Sequence, residues 1–403
     1  MKVVQINSSC ELGSTGKIVA GIIALMRENG IENRIFYSGN HKVDSIDSVC
    51  INRKLDIRIH QILSRIFGDQ GWYSFSATKK MIGKLKKIGP DVIHLHNIHG
   101  YYLHMPSLFH YLAKANVPVI WTLHDCWAFT GHCTHFTVKN CQKWKIECGK
   151  CPQKCAYPYS WFFDRSRELF RKKEKLYKQI DKLTLTVVSR WLGEQVVQSK
   201  LLGNRNIHVI PNGVDLSVFK PGKKLDKIHD VDISEKKVVL GVANNWTEAK
   251  GIGDMIKLSA MLFNDWVVVL VGLSQEQIEN LPKGIIGIGR TDNVMQLVDL
   301  YSTAMVYFNA SMEETFGLTT LEAMACGTPA IVYKSTACPE LISDHNGFAV
   351  EPHSLKEVVE RIREIEIKGK DSFTKSCIEY AQAFQQRKIY EKYLDLYKYE
   401  TNS

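Results

Sequence analysis

The chain has 403 residues, 45% hydrophobic and 23% charged, a length and balance that give two or three packed domains and exclude disordered, collagen-like and low-complexity classes. Its longest strongly apolar run, "WVVVLVGL", falls far short of the roughly 20 residues a membrane span needs, and the opening "MKVVQINSSC" lacks the layout of a secretory leader, so a cytoplasmic protein is expected. Net charge is +10, but residues 1–210 hold 31 Lys+Arg against 15 Asp+Glu, which predicts an anionic partner for the first half, with solvated helix faces as the plain alternative.

In chain order, short β-branched runs alternate with helical patterns, the mark of an α/β protein with parallel sheets wound by helices. The first strands read "KVVQIN", "NRIFYSG", "DVIHLHN", "PVIWTLHD" and "LTLTVVS"; a second series reads "KVVLGVAN", "WVVVLVG", "GIIGIG", "MVYFNAS" and "PAIVYKS". Between them "VIPNGVDLSVFKPG" reads as a linker. The prediction is an N-terminal doubly wound domain over 1–210 and a C-terminal one over 211–379. The closing "FTKSCIEYAQAFQQRKIYEKYLDLYKYE" is one long amphipathic helical pattern, whose part from 380 to 403 is expected to pack back on a domain. Ligands of such sheets sit beyond the carboxyl ends of strands, so the site is expected in a cleft between the domains, on segments that follow strands.

After the first strand, "NSSCELGSTGKIV" enters a helix near Lys17. It fails as a P-loop, because Glu11 stands five before Gly16 and Ile18 replaces the metal-binding Ser/Thr. A turn containing Gly13 and Gly16 remains, able to approach a phosphate or sugar closely. Six of eleven cysteines fall between 126 and 155. Cys148 and Cys151, preceded by Cys133 and Cys141, have the makings of a tetrahedral structural zinc site, with buried thiols as the alternative; four thiolates would leave no open position for catalysis. "WFFDRSRELFRKKEKLYKQIDK" (161–182) reads as an aromatic and basic helix suited to a membrane surface or to plain solvation.

The segment "SMEETFGLTTLEAMACGTPAIV" (311–332) holds most of the chemistry. A helix starting near Leu318 puts Glu322 about 40° round the wheel, on the flank of the apolar face, with the solvent arc expected at Thr320 and Ala323. An inward carboxylate needs hydrogen-bond partners, and ligand hydroxyls would serve. The Thr315–Gly317 turn would offer amides to a phosphate at the positive end of the helix, with Glu314 ahead of it.

The E-x7-E spacing from Glu314 to Glu322 resembles that of retaining GT-B glycosyltransferases of family 4. "PDVIHLHN", "TLHD", "VVSRW", "VIPNGVD", "KG" at 250–251, "EAMACGTPAI", "CPELI" and "NGFAVEP" resemble its landmarks in order, and "HDCWAFTGHC…CQKW…CGKCP" resembles the bacterial capsule and colanic-acid branch. The resemblance implies two Rossmann-like domains facing across a cleft. It also implies transfer of a hexosyl group from a UDP- or GDP-sugar to a glycan or lipid-linked oligosaccharide acceptor, without a catalytic metal. It places Glu322 on the donor ribose, Glu314 on the transferred sugar, and the amides of Phe316, Gly317 and Leu318 on the diphosphate. Lys250 would neutralise the leaving phosphate, His124 would lie beside the reacting sugar, Gly13 and Gly16 would shape the facing loop, and Glu340 would support them. One departure is that Asn244 and Asn245 stand where the family carries Arg, leaving Lys250 as the cation, with Arg290 or Lys17 as helpers. No D-x-D follows a strand in the C-terminal half; "DVD" at 230–232 precedes one. An inner-membrane-face location suits such acceptors. The competing readings are a sugar-nucleotide epimerase of the same fold and a zinc-containing nucleic-acid-binding protein; the second leaves Glu322 unexplained, and no nucleic acid is expected as partner.

Overall fold

The computed structural model describes residues 1–39 and 46–402. They form two compact units, Met1–Pro211 with Ile389–Ser403, and Asn212–Lys388.

The first unit is built on strands β1 (Lys2–Asn7), β2 (Glu32–Tyr37), β3 (Ser48–Cys50), β4 (Val92–Leu95), β5 (Val119–Leu123), β6 (Leu183–Val187) and β7 (Asn206–Val209). All pair in parallel, in the order β3-β2-β1-β4-β5-β6-β7, so the winding direction reverses between β1 and β4. Helices α1 (Gly13–Glu28), α2 (Lys54–Phe67), α3 (Phe75–Ile88), α4 (Met105–Ala115), α5 (Ser166–Tyr177) and α6 (Arg190–Val197) make the crossovers. The inner face of α1, Ile18, Val19, Ile22, Ile23 and Met26, follows helical spacing and packs in one core with Val3, Ile35 and Ile120.

The second unit has a short antiparallel pair, β8 (Lys227–Ile228) and β9 (Val231–Asp232), which takes in the "DVD" triplet. Its main sheet comprises β10 (Lys237–Val242), β11 (Trp266–Val271), β12 (Ile285–Ile288), β13 (Val306–Asn309), β14 (Ala330–Tyr333) and β15 (Gly347–Val350), parallel in the order β12-β11-β10-β13-β14-β15. The reversal here lies between β10 and β13. Helices α7 (Ile252–Ser259), α8 (Gln275–Glu279), α9 (Val294–Thr303), α10 (Leu318–Ala325), α11 (Leu355–Lys368) and α12 (Asp371–Gln382) surround it. β11, "WVVVLV", is buried along its whole length, as a central parallel strand with helices on both faces must be.

The single C-terminal helix expected from sequence is two helices, α12 and α13 (Gln386–Asn402). At the break the backbone pairs with a distant strand-like segment: Val214 N–H donates to Phe384 O and Gln386 N–H to Val214 O, each at 2.9 Å, with Gln385 in a bridge to Val214. α13 then returns to the first unit and buries Ile389, Tyr390, Tyr393, Leu394 and Tyr397 in the core that holds α1. Tyr397 OH meets His94 Nδ1 at 2.7 Å, with both groups fully buried.

Replacing Tyr397 by Phe strands the His94 ring nitrogen in that core. The expected loss is about 1–2 kcal/mol of unfolding free energy in urea melts; an unchanged midpoint would show that this hydrogen bond does not tie α13 to the sheet.

Candidate active site

In the second unit the loops that leave β10 and β13, the strands flanking the reversal, carry Lys250 and Glu314. That is where open parallel sheets leave a crevice for ligands. Lys250 closes a single 3-10 turn (Glu248–Lys250), whose Lys250 N–H donates to Thr247 Oγ1 at 3.3 Å. Its ammonium bonds Glu314 Oε1 at 2.5 Å and Glu313 O at 3.0 Å. The pair is 32% and 23% exposed, open enough for an incoming anion to compete. Gly251 makes the approach feasible: its φ is +79°, and a Cβ there would lie 2.3 Å from Ala310 O. The β13 loop is fastened on its other side, Glu314 N–H donating to Thr336 Oγ1 at 3.0 Å and Ala337 N–H to Glu314 O at 3.2 Å.

Three residues further on, Gly317 (φ +94°) starts α10, and no side chain caps the helix. Its first-turn amides therefore form an uncompensated positive end, directly after the Lys250–Glu314 pair in the chain. Phe316 is buried and packs on Phe384, ring centroids 5.9 Å apart, which fixes the turn from below.

The expected solvent arc of α10 requires a correction. Thr320 and Ala323, assigned to solvent by the wheel, are fully buried, and the partly open residues of α10 are Leu318, Thr319 and Glu322. At about 0°, 100° and 40° these make one arc with Glu322 inside it. The helix lies against α9, α12, β13 and β14, so nearly its whole circumference is core, and even in the open arc Thr319 Oγ1 accepts from Tyr307 OH of β13 at 2.8 Å. Glu322 is half-buried and its Oε2 turns toward α9, accepting from the buried Tyr301 hydroxyl at 2.9 Å. Burial, and then the Glu322 charge, push the Tyr301 phenol well above its ordinary range, so it stays a donor.

The first unit has a second constellation, at the carboxyl ends of β4 and β5. His124 follows β5 and its Nε2 lies 3.1 Å from His96 Nδ1, while His96 Nε2 meets Gln5 Oε1 at 2.8 Å. His94 on β4 and His96 just after it, two apart, have ring centroids 4.0 Å apart. Beside them His99 Nε2 bonds Asp125 Oδ2 at 2.7 Å, and its Nδ1 bonds Tyr157 OH at 3.1 Å. Burial lowers the pKa of His124 to about 4 and of His94 to about 3, so these rings are neutral near pH 7. Sequence reading singled out His124 alone; the two-residue spacing in "HLHNIH" was the available signal for His94 and His96.

The remaining residues are dispersed. Gly13 (φ +69°) opens α1, which starts four residues before the expected Lys17. Gly16 is buried under the β1–α1 loop, where a Cβ would meet Ser9 Oγ at 2.9 Å. Asn245 is exposed in the β10 loop. Arg290 is exposed after β12, two strands from the reversal and so roughly 10 Å from β10 across the sheet, and makes no ion pair among the described residues. Glu340 sits in the short turn Cys338–Leu341, whose Glu340 carbonyl accepts from Tyr380 OH at 2.8 Å. Residues 161–163 are an exposed loop, and the predicted basic helix begins only at Ser166, burying Leu169, Phe170, Lys173 and Tyr177. Cys133, Cys141, Cys148 and Cys151 line one small cavity of about 10 Å³ beside Trp144. Among the described residues no group of three or more Cys, His, Asp or Glu is arranged, as placed, to hold a metal ion.

Residues 16–218 match the Glycosyltransferase Family 4 profile, and residues 224–384 match that of Glycosyl transferases group 1. The chain is similar to WcaC of Escherichia coli (strain K12), named for colanic acid biosynthesis as a glycosyl transferase, at 24% identity over 83% of this chain and 82% of that one. It is also similar to the D-inositol 3-phosphate glycosyltransferase of Saccharomonospora viridis, at 26% over 48% of this chain and 50% of the relative. Among solved structures, sucrose-phosphate synthase from Thermosynechococcus elongatus superposes with a TM-score of 0.70 at 18% identity over 98% of each chain. Anabaena Alr3699/HepE in complex with UDP and glucose gives 0.69 at 16%, over 98% of this chain and 99% of that one. These structures establish the GT-B fold.

The histidine file carries a pH prediction. Each ring is neutral in the fold but has its ordinary value near 6.5 once unfolded, so the unfolded chain binds more protons between about pH 4 and 6.5. Stability from these groups is complete above about pH 6.5 and lost as pH falls toward 4. Urea midpoints should drop through that window, and nitrogen NMR at pH 6 should find His94 and His124 neutral; charged imidazoles at pH 6 would contradict the packing.

Proposed function

The chain belongs to glycosyltransferase family 4, and on that premise we propose that it moves a hexosyl group from a nucleotide sugar to a glycan acceptor with retention of anomeric configuration. The observation that carries the reading is the Lys250–Glu314 pair at the strand-order reversal, followed by an uncapped helix start and the half-buried Glu322. The diphosphate takes Lys250 Nζ and the amides of Phe316, Gly317 and Leu318, while Glu322, steadied by Tyr301, grips the ribose hydroxyls. Donor binding turns Lys250 from Glu314 toward phosphate and releases Glu314 for the sugar hydroxyls. An acceptor oxygen then bonds to the anomeric carbon as the bond to the phosphate oxygen breaks, and the acceptor proton passes to that departing oxygen. Neutral His124 is assigned to hydrogen bonding with the reacting sugar. The WcaC name and the UDP and glucose of the HepE complex support a polysaccharide pathway and a nucleotide-sugar donor. A lipid-linked acceptor presented at a membrane face completes the reading.

No step in it uses a metal. The four-thiol cavity is proposed as a structural zinc site: Cys133, Cys141, Cys148 and Cys151 line it together, and the buried Lys173, whose pKa burial lowers to about 7, lies close enough for thiolates at Cys148 and Cys133 to favour its charged form. Metal would draw the thiols inward. About one zinc per chain in protein prepared without chelator supports this, and metal-free protein of full stability overturns it.

Three measurements test the catalytic reading. Glu322→Gln should weaken nucleotide binding by about 1.5–3 kcal/mol in calorimetry without unfolding the domain. Lys250→Ala should lower turnover about 100–1000-fold, more than it weakens donor binding, because leaving-group charge peaks in the transition state. Transfer should persist in EDTA and give an α-linked product from an α-linked donor; an inverted product, or activity restored only by magnesium or manganese, would refute the mechanism.

A further inference from the structure

Helix α2 is built inside out. Its buried residues are polar, His60 and Ser64, while Leu55, Ile59, Ile62 and Phe67 are exposed, Leu55 to 66%. A surface helix ordinarily does the reverse. Leu55, Ile59, Ile62 and the half-buried Ile66 fall within about 60° of one another, one continuous aliphatic stripe. The buried side is fixed by specific bonds: His60 Nδ1 meets Ser74 Oγ at 2.8 Å, and Gly71 N–H donates to His60 Nε2 at 3.4 Å. The helix cannot simply roll its apolar face inward without breaking them.

The stripe continues into a second element. Trp161, Phe162 and Phe163 are all exposed, Phe162 to 65%, in a loop pinned to the end of α2. Trp161 N–H donates to Arg65 O at 2.7 Å, and the chain passes so close that a Cβ on Gly68 would lie 2.5 Å from Phe163 O. The Arg65 guanidinium lies over the Tyr159 and Trp161 rings at 5.3 and 5.8 Å. A contiguous apolar surface on two elements of one fold marks an interaction site.

Charge chooses the occupant. Lys54, Arg58 and Arg65 lie along one flank of the stripe, at about 260–300° when Leu55 is set at zero, and Lys54 and Arg58 are exposed. Basic side chains beside inserted aliphatic residues, with Trp and Phe at the edge, suit the boundary between anionic headgroups and acyl chains. A second copy of this chain fits worse in the antiparallel two-fold pairing of the stripes, which brings the two cationic flanks together. No helix among the described residues is long and apolar enough to cross a membrane, so contact would be superficial.

We infer that α2 and residues 161–163 form a docking surface for an anionic lipid bilayer. The same loop leads to the sugar-facing end of its unit: Tyr157, four residues before Trp161, bonds His99, which bonds Asp125 next to His124. Docking therefore seats the end of the sheet that carries His124 near the lipid surface, where a lipid-linked acceptor presents its glycan. That purpose rests on the proposed acceptor class, but the surface itself does not.

The test is vesicle flotation of the full chain, without donor or acceptor, so its failure is separate from failure of the catalytic reading. Vesicles of three parts phosphatidylcholine to one part phosphatidylglycerol should carry the protein, and pure phosphatidylcholine should carry much less. The variant Ile59→Asn with Ile62→Asn, and separately Phe162→Ser with Phe163→Ser, should each reduce the partition coefficient at least about tenfold, given the transfer free energy of such side chains. Arg58→Glu should lower binding about fivefold or more at low salt, and the difference should shrink at high salt. All these residues are exposed, so melting temperature and nucleotide affinity should stay at wild-type values. No binding to either vesicle, or binding indifferent to these variants, overturns the inference. So does a concentration-dependent dimer in sedimentation that the same variants abolish, which would assign the surface to a second copy.

Discussion

The Lys250–Glu314 ion pair depends on a topological fact, that the sheet of the second unit is wound in opposite directions from β10 and β13. Two loops then leave adjacent strand ends on diverging paths, and a long side chain from one can meet a carboxylate from the other in the gap. The contact is tight only because residue 251 is glycine, since any Cβ there would strike Ala310 O. In water such a half-exposed pair contributes little to stability, about 0–1 kcal/mol. Its value is positional: a cation held by a carboxylate and a carbonyl is preorganised for an anion, with little reorganisation left to the moment of reaction.

The same loop leads into a helix whose first turn has no side-chain cap. Ser, Thr, Asn or Asp at the cap would have satisfied those amides and strengthened the helix by about 1 kcal/mol. Here Gly317 stands instead, and the amides face the surroundings uncapped. Stability has been left out where a ligand anion would supply it. Glu322 is held too, since the buried Tyr301 hydroxyl fixes the direction of its half-exposed carboxylate.

Much of this was legible in the sequence because it rests on periodicity and local backbone preference. β1, β10 and β11 are β-branched runs, Gly317 marks the helix start at Leu318, and the 314-to-322 spacing links turn and helix. What was not legible depends on neighbours distant in the chain. Thr320 and Ala323 look solvent-facing on a wheel, but the elements packed round α10 bury both, Thr320 accepting from Asn309 of β13. At the break before α13 the backbone pairs with Val214, some 170 residues earlier. The edge strands β3 and β7 have no strong alternation, and their pairing partners alone define them. Helix α2 shows the same limit: its amphipathic pattern is plain, but only tertiary structure reveals that the apolar side is the outer one.

The central claim is that Lys250 and the amides from Phe316 to Leu318 receive the charge of a leaving diphosphate. A crystal structure of the protein with UDP or GDP, grown with a chelator present, tests it most directly. The account predicts a β-phosphate oxygen within hydrogen-bonding distance of Lys250 Nζ and of at least one of those amides, the Lys250–Glu314 contact opened, and the ribose hydroxyls on Glu322. A diphosphate bound elsewhere, with that ion pair intact, would contradict it.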